Sequence, residues 1–209
     1  MRKDFLLEFR TGYAISGILL YLVSTVYIVS ISFQKIKPEA WIALFWIIIL
    51  FTSINAITKS FVQESNNRQL YFYSLANPIA IILSKILYNI FLLACLSFLT
   101  WAAMAFMAGN PILESGIFVL ALFLGSVGFS INLTFVSAIA VKANNSATLM
   151  AILSFPVIIP ILLLLIKLTA VSIDLMNDTS IQNDISLLIA IDLLLLAMTL
   201  VLYPFLWRD

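Results

Sequence analysis

The sequence contains no histidine and a single cysteine, Cys95, among its 209 residues. Without histidine, the chain has no imidazole to ligate haem or zinc and no histidine general base. One cysteine excludes an internal disulfide and a CxxC pair, and the two absences together exclude a Ser/His/Asp or Cys/His catalytic apparatus. The chain also lacks a phosphate-binding P-loop and a GxGxxG motif. We therefore expect no enzyme activity in this chain, and any energy must come from a partner or a gradient.

Charged residues are scarce as well. They make up 10% of the chain, whereas ordinary soluble domains contain about 25%. Apolar residues make up 63%, and the mean hydropathy is +1.13. This composition excludes a soluble globular protein, a disordered tail and a nucleic-acid binder with a basic face. Because a membrane helix uses about 20 residues, the apolar content suffices for about six spans and predicts an all-α membrane protein.

Six apolar runs follow one another along the chain with no soluble domain between them. We predict one membrane domain over residues 1–209, with spans at 12–33, 41–57, 78–107, 116–141, 147–166 and 185–206. The first ten residues, MRKDFLLEFR, mix apolar and charged side chains, which predicts a short helix on the membrane surface. Leu168, Val171 and Leu175 share one helical face that Asp174 avoids, which predicts a short amphipathic helix on the outer surface.

The distribution of lysine and arginine predicts the orientation in the membrane. An even number of spans puts both chain ends on one side. That side carries Arg2, Lys3, Arg10, Lys59, Arg68, Lys142 and Arg208, and the opposite side carries Lys35, Lys37 and Lys167. Because cytoplasmic loops carry the excess of basic residues, we expect both termini in the cytoplasm.

The longest polar interruption of the apolar pattern lies between the second and third spans. Residues 63–69 read QESNNRQ, a run that no lipid-exposed segment can carry, and apolar and aromatic residues flank it. Glu64 and Arg68 are four residues apart in the order that supports a helix by about 0.2–0.5 kcal/mol. We interpret the segment as a helix across the cytoplasmic face to which a partner docks; a solvated loop with aromatics among the headgroups is the alternative. The candidate coupling residues are Phe61, Gln63, Glu64, Arg68, Leu70 and Tyr73.

Asp192 is the one acidic residue predicted to lie well inside a span, about 10–11 Å below the outer end of the sixth. A charge at the centre of a bilayer costs about 2.5–3.5 kcal/mol, so Asp192 should face helices or water and have a partner. Lys167 is the nearest basic candidate in depth. A gating or translocation role, a structural ion pair and a protonated acid all remain open.

Two further features concern how the helices bend and pack. Pro156 and Pro160 each lack an N–H donor, which frees two carbonyl groups in the fifth span and predicts a kink or local unwinding. A gating hinge or pore-facing helix and a static kink are both compatible with this pattern. In the fourth span, small residues indicate a close helix–helix contact. They are Gly125, Ser126, Gly128 and Ser130.

Several stretches of the chain resemble the CcmB family, the permease subunit of the cytochrome c maturation ABC transporter. FVQESNNRQLYFYSLANPIAIILSK, residues 61–85, is similar to the family's cytoplasmic cross-helix and the start of its third span. KANNSATLMAILSFPVIIPILLLLIK, residues 142–167, is similar to its fifth span with the paired prolines. FTSINAITKSF, LLIAIDLLLL and YPFLW resemble a Bacteroidetes-like branch of the family, so the resemblance runs nearly end to end.

The resemblance implies the ABC-2 type of permease architecture, with an N-terminal surface helix, a cytoplasmic coupling helix and a short outer helix around six spans. It implies a bacterial inner-membrane location and three protein partners: a cytoplasmic ATPase that binds ATP, a haem-handling membrane subunit and a periplasmic haem chaperone. A second copy of the chain is a further candidate partner, besides membrane lipid. The implied function is to couple ATP hydrolysis to haem delivery or chaperone release, with no cofactor bound directly. Export of another substrate, such as a lipid-linked sugar or a drug, and a non-transporting assembly role are the alternatives.

Overall fold

The computed structural model describes residues 13–33, 35–62, 78–142, 146–175 and 181–208. These residues form six α-helices: α1 (Tyr13–Ser32), α2 (Pro38–Val62), α3 (Pro78–Ala108), α4 (Ser115–Lys142), α5 (Ser146–Ser172) and α6 (Ile181–Arg208). The prediction of an all-α membrane protein is confirmed, because α2 to α6 are each long and apolar enough to cross a bilayer. The apolar part of α1, Ser16–Ser32, is shorter.

Two predicted elements lie outside the described residues. The N-terminal surface helix falls in residues 1–12, and the coupling segment falls in residues 63–77. Phe61 belongs to the last turn of α2, but its side chain is also outside the description. The remaining coupling candidates are likewise outside it: Gln63, Glu64, Arg68, Leu70 and Tyr73.

Helix α4 occupies the middle of the bundle. It packs against α2, α3, α5 and α6, whereas α1 packs against α2 and α3. Large buried side chains such as Phe118 and Phe129 lie on α4, together with buried Ser130 and Asn132. Because an ordinary surface helix buries only one stripe, burial on several sides identifies α4 as the core helix.

The connections define two ends of the bundle. We use "upper end" for the end with the connections 33–37, 109–114 and 173–180, and "lower end" for the opposite one. At the upper end, Gly109 closes α3 with a φ of 86°, a left-handed conformation that suits glycine after a helix. The predicted outer side of the membrane corresponds to the upper end.

The separate outer amphipathic helix predicted near residue 168 is wrong for residues 168–175. Leu168 and Val171 continue α5, since no glycine or proline stops the helix between Lys167 and Ser172. The helix then closes at Asp174, whose φ is 60°, and the N–H of Leu175 donates to the carbonyl of Ala170 at 3.0 Å. This is a Schellman-type end, so the apolar stripe that we assigned to a second helix belongs to the last turns of α5.

Candidate functional site

The candidate site is centred on Asp192, on the buried face of α6. That helix begins at Ile181, four residues before the predicted start of the span. Asp192 therefore lies about 16 Å along the helix from its upper end, deeper than the sequence predicted. The face repeats at helical spacing and includes Leu188, Asp192, Thr199 and Tyr203, all buried.

Asp192 lies directly against the backbone of α4. Its side chain is only 5% exposed. A Cβ added at Gly128 would lie 2.5 Å from Asp192 Oδ1 and 3.4 Å from Ile161 Cδ1 of α5. Only glycine therefore leaves room for the carboxyl group at this crossing of three helices.

Neither carboxyl oxygen of Asp192 has a hydrogen-bond partner among the described residues. Lys167, the predicted basic partner, instead forms an ion pair with Asp184, with Nζ and Oδ2 2.9 Å apart. The pairing follows from position, because Lys167 lies near the end of α5 and Asp184 lies in the first turn of α6. Asp192 is two turns, about 12 Å, deeper along α6, so the prediction that Lys167 serves it is wrong.

Pro156 and Pro160 lie on the exposed surface of α5. The buried side of the helix carries Ser154, Ile158 and Ile161, so the prolines do not face the interior as a pore-facing helix would require. Local unwinding is not seen either, because α5 is helical from Ser146 to Ser172 with both prolines inside it. A hinge role of the prolines in gating stays a prediction.

Buried amide and hydroxyl groups link the helices in the lower half of the bundle. Asn89 Nδ2 donates to Thr134 Oγ1 at 2.8 Å, and Ser130 Oγ donates to the Ile86 carbonyl at 3.0 Å, which joins α3 to α4. Asn132 Nδ2 donates to the Ser154 carbonyl at 3.4 Å, which joins α4 to α5. These contacts confirm that α4 makes close interhelical packing, although the sequence analysis missed both asparagines. An amide inside an apolar run was the available signal.

Two tryptophans of α2 form hydrogen bonds near the upper end, one to the 109–114 connection and one to α5. Trp41 Nε1 donates to the Gly109 carbonyl at 3.1 Å, and Trp46 Nε1 donates to Thr169 Oγ1 of α5 at 3.0 Å. The N–H groups of Leu113 and Glu114 both donate to the Ser172 carbonyl, at 3.0 and 2.9 Å. We call this set the upper clamp; its residues are Trp41, Trp46, Gly109, Leu113, Glu114, Thr169 and Ser172. It connects α2 to the end of α3 and the end of α5.

The described side chains contain no group of three or more His, Cys, Asp or Glu residues that could hold a metal ion. The arrangement therefore offers one isolated acid in the middle of the bundle rather than a ligand cluster. Its chemistry is that of charge and protonation, at a place where three helices cross.

Comparison with known families gives one clear match. The model of the CcmB family, described as CcmB protein, matches residues 1–207. None of the curated proteins and none of the solved structures in the comparison matches the chain. The family match spans every helix described above, including the one that carries Asp192. The chain therefore belongs to the CcmB family and is a multi-pass permease component of the cytochrome c maturation system.

Proposed function

We propose that this permease transmits the motion of a partner ATPase across the membrane, so that ATP hydrolysis drives haem delivery or the release of a haem-loaded periplasmic chaperone. The family supplies the setting, a cytochrome c maturation transporter. In this proposal the chain itself is not catalytic. ATP is bound by the ATPase subunit, and haem is handled by a membrane partner and by the chaperone.

The observation that carries the proposal is the continuity of α2. This helix runs unbroken for 25 residues, from Pro38 to Val62, which is about 37 Å. Its lower end leads directly into the polar run 63–69, and its upper end carries Trp41 and Trp46 of the upper clamp. A push on the lower end of a rigid, buried helix therefore reaches the connections at the upper end.

Burial explains why α2 would move as a unit. Trp41, Phe45 and Trp46 are each at most 1% exposed. The rings of Trp41 and Phe45 stack with centroids 5.2 Å apart, and Phe45 meets Phe118 of α4 at 5.3 Å. Rings packed this closely resist rearrangement within the bundle, because displacing one ring would open a void and lose its contacts with the others.

Charge reversal in the polar run tests the coupling. We expect Glu64→Lys and Arg68→Glu, made singly, to reduce co-purification of the ATPase several-fold and to lower its hydrolysis rate in the reconstituted complex. Lys35→Glu is the matched control: it reverses one charge at an exposed residue of the upper end, outside the upper clamp, and should leave ATPase binding unchanged. If both reversals in the run leave binding and hydrolysis unchanged, the assignment of residues 63–69 as the coupling segment is wrong.

A further inference from the structure

We propose that Asp192 is a proton-binding site inside the membrane, and that the bound proton allows α6 to pack against α4 at Gly128. The inference concerns a group that ATPase coupling does not require, so it goes beyond the proposed function and does not depend on it.

The first argument is the state of the carboxyl group. Asp192 is 5% exposed, and both of its oxygens lack a hydrogen-bond partner in the described part of the chain. An ionised carboxylate in such surroundings keeps neither water nor a counter-charge, which is costly inside a bilayer. A proton on either oxygen removes the charge without any change in packing.

The second argument is that none of the charged side chains on the described helices packed against α6 is placed to compensate Asp192. Helix α4 contributes no titratable side chain between Ser115 and Ala140. On α5, Lys167 pairs with Asp184. On α3, Lys85 is about 10 Å from the lower end of the helix, whereas Asp192 is about 24 Å from the lower end of α6.

The uncharged titratable side chains of the same elements do not serve it either. On α3, Cys95 lies at a depth similar to that of Asp192, but its side chain is exposed at the surface of the helix bundle. Tyr88 of α3 and Tyr203 of α6 are buried nearer the lower end. None of these groups makes a hydrogen bond to Asp192, because neither of its oxygens has a partner within the described helices.

The third argument distinguishes a proton from a metal cation. Hard cations take several oxygen ligands, and the described residues gather no cluster of three acidic, cysteine or histidine side chains. A proton needs one oxygen. It also suits the tight contact at Gly128, where even a Cβ would lie 2.5 Å from Oδ1.

Loss of the proton would have a structural consequence. The ionised carboxylate requires water or a cation, and neither has room beside a side chain that is 5% exposed and packed against Gly128. Helix α6 must then move away from α4 before Asp192 can ionise. The proton thus holds the two helices together.

Infrared difference spectroscopy on the full-length protein in lipid nanodiscs tests the site. At neutral pH we expect a protonated-carboxyl band that disappears in Asp192→Asn and persists in the control Asp184→Asn, whose native carboxylate is paired with Lys167. Absence of the band from the wild type, or its persistence in Asp192→Asn, overturns the proposal. If Asp192→Asn does not accumulate, Asp192→Glu keeps an acid at the site, and an unshifted band in that variant overturns the proposal equally.

A second measurement tests the link to helix packing. Leu188, fully buried one turn above Asp192, is replaced by cysteine in a Cys95→Ser background. Labelling by a water-soluble maleimide is divided at each pH by the labelling of the same variant unfolded in detergent, because the reactive thiolate fraction itself grows with pH. This ratio should rise several-fold as the pH is raised until the carboxyl band disappears. Adding Asp192→Asn should abolish that rise. A ratio that stays constant while the band disappears would show that the proton does not hold α6 in place.

Discussion

Gly128 and Asp192 show how one missing methyl group positions an ionisable side chain. The carboxyl group occupies the space that a Cβ of residue 128 would need, so the helix contact and the burial of Asp192 depend on each other. Glycine in a membrane helix allows close approach of a neighbouring helix, and here what approaches is the side chain of an acid.

We expect Gly128→Ala to destabilise the protein by about 1–3 kcal/mol, because the new Cβ would overlap Asp192 Oδ1 and force the helices apart. Thermal unfolding in detergent, followed by the loss of monodisperse protein, measures the effect. Gly116→Ala, in the same helix with nothing within 4 Å of its Cβ position, should be neutral.

The double variant Gly128→Ala/Asp192→Ala gives a sharper comparison. Removing the carboxyl group vacates the space that the new methyl group needs, so part of the loss should be recovered. If the stability loss of the double variant equals the sum of the losses of the two single variants, the contact between residues 128 and 192 is not what destabilises Gly128→Ala.

At the scale of helices, α2 makes a specific contact with α5 through Trp46. We expect Trp46→Phe to leave ATPase binding intact and to reduce cytochrome c maturation, because it keeps an aromatic ring at the site but loses the hydrogen bond from Nε1 to Thr169. The stability cost should be about 2–4 kcal/mol, because the smaller ring leaves a cavity in a buried site in addition to the lost hydrogen bond. Maturation of c-type cytochromes in cells, set against protein abundance, measures the effect. Normal maturation at normal abundance would show that this bond carries no coupling.

Replacing the prolines of α5 should change stability and activity in opposite directions. Pro156→Ala and Pro160→Ala restore backbone N–H donors to a helix that is already continuous. The free energy of unfolding should therefore rise, by at most about 3 kcal/mol for each change. If bending at these positions is part of the transport cycle, maturation of c-type cytochromes should fall in the same variants. Measuring maturation in cells, and thermal unfolding of the protein purified from the same cells, separates a hinge from a static kink.

The sequence predicted the helices well and the contacts between them poorly. Spans follow from length and hydropathy, so α2 to α6 lie where the apolar runs lie. Asp192 was identified because a charge in an apolar run is unusual. Its surroundings could not be predicted, because they depend on where α6 begins and on Lys167 meeting Asp184 across the upper connection. The end of α5 was missed because a helix terminus set by a non-glycine residue such as Asp174 has a weak sequence signal.

At the scale of the whole molecule, the orientation in the membrane is the prediction to test. Basic residues are concentrated on the side with the connections 63–77 and 143–145, which should therefore face the cytoplasm. A reporter active only in the cytoplasm, fused after Asp209, should be active. An epitope inserted at exposed Asn110, in the 109–114 connection, should be reached from the periplasm. Periplasmic location of the fusion would require an odd number of spans or an inverted bundle, and would contradict the predicted orientation.

The central position of α4 has a consequence for the path of any cargo. A conduit along the axis of one chain would need the space that α4 fills, between α2, α3, α5 and α6. Emptying that axis would expose the amide and hydroxyl groups of Asn89, Ser130 and Asn132 and break the bonds that join three helices. While α4 stays in place, the described bundle therefore leaves no axial path for a molecule as broad as a porphyrin.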